Sequence, residues 1–152
     1  MQTFRFRLER ILDWRRKEFE AEEARLGPLV SAQKQLETAQ REILAAWDRA
    51  GQELLAGGTV YGTDLAALGS FRARLERDLE SNARARRDAA ARIADQQARV
   101  VDAHRRVRLL EKLRHRKLEQ WSAAWDRELE SFAGEAFLAR WRAGAGPAKR
   151  QI

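Results

Sequence analysis

Two histidines, 23 carboxylates and no cysteine set what chemistry this 152-residue chain can carry. His104 and His115 lie eleven residues apart, and no carboxylate pairs with either at a zinc-ligand spacing such as H-E-x-x-H, which turns two imidazoles toward one ion. Both read as surface or seam-edge residues of a helix. Gly57-Gly58 is followed by Thr59, where a phosphate-cradling loop would need Gly-Lys-Ser/Thr, so the pair reads as a turn. The carboxylates alternate with bases, the pattern of solvated helix faces. Without cysteine, a disulfide framework and a thiolate metal site are both excluded. The residues therefore predict no catalytic, metal or cofactor site, and the chain is expected not to be an enzyme.

The elements that would position a binding surface are far more legible. Of the chain, 44% is apolar and 35% charged, with only two prolines, Pro28 and Pro147. That balance favours long helices over a compact globule, and sparse β-branched residues argue against strands. Stepping alternately by four and three gives Leu8, Leu12, Arg15, Phe19, Glu22, Leu26, Leu29, Gln33, Leu36, Gln40, Ile43, Trp47, Ala50 and Leu54. This is a sustained heptad seam. It keeps phase across Gly27-Pro28, where the lost backbone donor predicts a kink and not a chain reversal.

A second seam runs Leu68, Arg72, Leu75, Leu79, Asn82, Arg86, Ala89, Ile93, Gln96, Val100, Ala103, Val107 and Leu110. It then slips by one residue to Leu118, Trp121, Trp125, Leu129, Phe132 and Ala136, a drift that relaxes supercoiling. Between the seams, Ala56-Gly-Gly-Thr-Val-Tyr-Gly-Thr63 is a glycine-rich break, and Thr63 or Asp64 is placed to cap the second helix. The expected fold is all-α: a long antiparallel two-helix coiled coil, with helices over about 4–55 and 64–142, a tip at about 56–63 and a flexible tail from about 143. A turn near residue 60 predicts that facing residues have numbers summing to about 122. Trp47 then faces Leu75, Leu29 faces Ile93, and Leu12 faces Leu110.

The same register predicts an overhang. The first helix runs out near Phe4, opposite Leu118, leaving residues 119 to about 143 without an intramolecular partner. That stretch holds Trp121, Trp125, Phe132, Phe137 and Trp141. An uncovered apolar stripe implies a partner or self-association, unless the N-terminal residues fold over it. Beside it lies the charge: residues 84–117 carry 12 basic and 4 acidic groups, more than the whole +7 of the chain. Such a stripe, with Arg105, Arg106 and Arg108 at its centre, expects an acidic partner. A nucleic-acid scaffold is the less favoured reading, because seam residues and acids interrupt the charge and no nucleic-acid fold is recognisable. With no apolar run behind the first positive charges and none of membrane-spanning length, a cytoplasmic protein without a signal peptide is expected.

The opening Phe4-Arg-Phe6-Arg-Leu8-Glu-Arg-Ile11-Leu12, the two long helices and the short glycine-bearing tip together resemble FliJ, the coiled-coil component of the bacterial flagellar type III export apparatus. The resemblance covers nearly the whole chain. It implies a stalk similar to the coiled coil of the γ subunit of rotary ATP synthases, with its termini in the hexameric export ATPase FliI and its tip at the export gate protein FlhA. Export chaperones are further implied partners, and the implied location is peripheral at the inner-membrane export apparatus. The family's gate pattern, Q-x3-L-x2-Y-x3-Y and F-x3-L-x2-A-x3-H, maps onto Gln40, Leu44, Trp47 and Gly51, then Phe71, Leu75, Asp78 and Asn82. Trp47 keeps an aromatic, whereas Gly51, Asp78 and Asn82 depart from the pattern. Joined to the overhang, the resemblance implies ATPase contacts at Phe4, Phe6, Arg105, Arg106, Arg108, Trp121, Trp125 and Phe132. The equivalent stalk of a non-flagellar secretion system would share these features.

Overall fold

A computed structural model describes residues 3–144. It is an all-α helical hairpin: α1, Glu9–Ala56, packs against α2, Gly62–Gly144, and no strand occurs among the described residues. The tail expected from about 143 lies largely outside the described residues. By internal packing the chain divides into Arg15–Arg105 and a second unit of Met1–Trp14 with Arg106–Ile152.

Helix α1 runs unbroken through Pro28, which sits inside it. Its start is later than expected: residues 3–6 are non-helical and 7–8 form a turn. The Glu9 N–H donates to the Phe6 carbonyl at 3.2 Å, so the turn that opens the helix closes on the second phenylalanine. Phe4 and Phe6 are both half-buried while Arg5 and Arg7 are exposed, an alternation that suits extended chain lying along a surface.

The tip is shorter than expected, and its cap works differently. Gly58 takes φ +79°, a left-handed conformation that glycine reaches without a Cβ penalty. Helix α2 begins at Gly62, with Tyr61 in the capping position instead of Thr63 or Asp64. The Tyr61 N–H donates to Asp64 Oδ2 at 3.0 Å, while the Asp64 and Leu65 N–H groups donate to the Tyr61 carbonyl at 3.1 and 3.2 Å. Asp64 thus reaches backward from the third helical position, the role of the distal residue of a capping box.

Within Arg15–Arg105, the heptad positions from Arg15 to Leu54 and from Leu68 to Ala103 are all buried or half-buried. Leu75, Ile93 and Ala103 are the buried apolar residues there, and Asn82 and Gln96 are buried polar ones. The cross-helix contacts fit the predicted register: Asn82 donates to the Leu36 carbonyl at 3.0 Å, Gln96 to the Glu22 carbonyl at 3.0 Å, and Phe19 stacks on His104 at 5.1 Å. Each pair lies within about one helical turn of the expected sum, the offset that long side chains reaching along a seam produce. In the other unit Leu12 is fully buried and Val107 nearly so, and Glu9 meets Arg114 at 3.1 Å, again in register.

Candidate interaction surfaces

The unit built from Met1–Trp14 and Arg106–Ile152 brings several predicted residues together. Phe4 packs on Trp121 with ring centroids 6.1 Å apart and planes tilted by 57°. Trp121 in turn stacks on Trp125 at 5.7 Å and 17°. Residues Thr3 to Leu8 and the α2 side chains Leu113, Lys117 and Trp121 border an open groove of about 1010 Å³. The N-terminal residues therefore cover part of the aromatic stripe, with Phe4 on Trp121 and Phe6 bordering the same groove.

That cover stops near Trp125. Further along α2, Leu129 is exposed at 46%, Phe132 at 76% and Trp141 at 65%, and Phe137 and Leu138 are exposed as well. These side chains point in several directions around the helix. Phe132 follows the seam, while Phe137 and Trp141 fall well to one side of it at 100° per residue. A helix that is apolar on more than one side is suited to being surrounded. Leu129, Phe132, Phe137, Leu138 and Trp141 are all exposed within this stretch, and clustered apolar exposure of that kind marks a binding surface.

Arg106 and Arg108 are exposed on α2 in the same unit. Arg108, Lys112, His115 and Arg116, with Glu111 and Glu119, border a shallow depression of about 530 Å³. His115 Nε2 lies 3.1 Å from Glu119 Oε1, one turn along the helix, so its ring has an ordinary exposed acidic neighbour. Lys117 donates to Gln120 at 3.2 Å. Such exposed pairs are worth little to stability. Arg105 belongs to the other unit and is exposed there.

The residues matched to the gate pattern are placed unevenly within Arg15–Arg105. Leu44 and Phe71 are exposed, at 46% and 36%. Trp47 is half-buried, with the Arg72 guanidinium 5.0 Å over its ring, and Gln40 accepts a hydrogen bond from Arg86 across the seam. Leu75 and Asn82 are buried between the helices and offer no outward surface. Of this set, Leu44, Phe71 and Asp78 are exposed where a partner could touch them without opening the coil.

Sequence reasoning named the seam positions but missed what the polar ones do. Gln40 with Arg86, Gln96 with Glu22, and Arg72 over Trp47 form cross-helix polar layers. Arg72 Nε, Arg86 Nε and Asn82 Oδ1 are buried without a partner among the described residues. The signal was available, since all of these residues stand at heptad positions, but their pairing needs both helices in view. Among the described residues no group of three or more His, Asp or Glu is placed to hold a metal ion. No helix among them is long and apolar enough to cross a membrane.

Comparison of the chain with models of known families, with curated proteins and with solved structures gives no significant match.

Proposed function

We propose that this chain is the non-catalytic stalk of a type III export ATPase complex, of the kind FliJ provides in the flagellar apparatus. The observation that carries the reading is the end of α2, where Leu129, Phe132, Phe137 and Trp141 are exposed around the helix beyond the point where Phe4 covers Trp121. A shaft held inside a ring needs apolar side chains on more than one side, because the ring contacts it from all round. Aromatic residues of this kind dominate the energetics of many interfaces. The exposed cations Arg106, Arg108, Lys112 and Arg116 adjoin that end and would steer it toward an acidic rim. On this reading Leu44 and Phe71 serve the gate contact, and the chain reaches the membrane only through its partners.

The hydrolysis rate of the export ATPase, measured against concentration of this chain, tests the reading. Stimulation with ring assembly is expected from the full chain, and its loss from a chain carrying Phe132→Ala and Trp141→Ala. A basic scaffold for nucleic acid would instead leave hydrolysis unchanged and bind duplex DNA with a steep salt dependence.

A further inference from the structure

The exposed end of α2 has a residue order that one particular occupant would use fully. Continuing the heptad step gives Trp125, Leu129, Phe132, Ala136, Ala139 and Ala143: bulky residues in the first half, alanines in the second. In an antiparallel coiled coil, each layer pairs a position of one heptad type with the complementary type on the other helix. A second copy laid antiparallel about the level of Gly134 sets Trp125 against Ala143, Leu129 against Ala139, and Phe132 against Ala136. Every layer is then large against small, which is how facing side chains interdigitate without voids or clashes.

The charges follow the same axis. At the flanking positions this alignment places Asp126 beside Arg140 of the other copy and Glu128 beside Arg142, and two-fold symmetry repeats each pair. All four of these residues are exposed on the single chain. Glu135 would meet its own copy near the axis, one like-charge contact against four attractive ones. A parallel pair would instead stack Trp125 on Trp125 and Phe132 on Phe132, and would bring neither Asp126 nor Glu128 near an arginine.

We propose that Trp125–Ala143 is an antiparallel homodimerisation surface whose occupant is the same segment of a second copy of this chain. Phe137 and Trp141 lie outside the seam and stay exposed in the pair. The proposal concerns the isolated chain and does not rest on the export reading; because it occupies Leu129 and Phe132, the pair and an ATPase-bound chain are alternative states of this surface.

Sedimentation equilibrium of the full chain over rising concentration tests it, with circular dichroism confirming that each variant keeps its helicity. A monomer–dimer equilibrium is expected. Reversing Arg140 and Arg142 to Glu should raise the dissociation constant at least about tenfold, since like charges then face each other. Reversing Asp126 and Glu128 to Arg in a second variant should do the same, and mixing the two variants should restore a dimer. Because the chain has no cysteine, Ala133→Cys reports the register: Ala133 meets its own copy and should oxidise to a linked dimer, whereas Ala143→Cys should not. A strictly monomeric chain at submillimolar concentration would overturn the proposal. So would failure of the mixed variants to pair, or linkage at position 143 in place of 133.

Discussion

Leu12 has no exposed surface, and it sits where the seam of α1 meets the turn of the Phe-x-Phe opening. Truncating a fully buried leucine removes its transfer energy and leaves a cavity, typically ~2–5 kcal/mol. Leu12→Ala is therefore expected to lower the urea midpoint clearly, and an unchanged midpoint would mean that the N-terminal packing is not formed. Trp47 is a milder case. It is half-buried and held partly by Arg72 over its ring, so Trp47→Ala should cost less than the ~3–5 kcal/mol of a fully buried tryptophan. At the tip, Asp64→Ala removes the side chain that accepts from the Tyr61 N–H. A lost helix cap costs ~0.5–2 kcal/mol, which thermal unfolding followed by circular dichroism would detect.

At the scale of elements, the two helices were legible because a heptad pattern is redundant: Leu26, Leu29 and Leu36 repeat the same statement that Ile43 makes, and one polar residue does not erase it. The register was legible for the same reason, once the glycines at 57 and 58 fixed the turn. What the periodicity could not show was the cap, since Thr63 and Asp64 both satisfy the pattern and only the path of the chain puts Tyr61 in the capping position. Nor could it show the start of α1. Phe4 and Phe6 fit a helical face as well as an extended strip, and the choice rests on contact with Trp121 far along the sequence.

The polar layers are the element-scale feature with the clearest consequence. Gln96 is buried and donates to Glu22, so it fixes register at some cost in stability, as polar residues at seam positions do. Gln96→Leu alone should lower stability, because Glu22 loses its buried partner. Replacing both residues by leucine should raise the unfolding midpoint instead. Equal midpoints for the single and double variants would show that Glu22 without Gln96 carries no penalty, its exposed partner Arg25 being enough.

For the molecule as a whole, the proposed function rests on the distribution of charge and on the uncovered aromatics. Residues 84–117 hold all of the net positive charge, and Arg105, Arg106 and Arg108 are exposed within it. Reversing these three to Glu should slow association with the export ATPase far more than it speeds dissociation, as lost steering does. Stopped-flow binding at low salt would separate the two rates. The fold should survive, since surface substitutions usually change stability by no more than ~0.5 kcal/mol each.

Whether a ring ATPase encloses the aromatic end of α2 can be read from footprinting of side-chain oxidation in the full chain with and without the export ATPase. Phe137 and Trp141 should oxidise readily in the free chain and become protected on addition of the ATPase, while exposed Tyr61 at the tip should stay unchanged. Unaltered oxidation of Phe137 and Trp141 at saturating ATPase would rule out enclosure of this end by the ring.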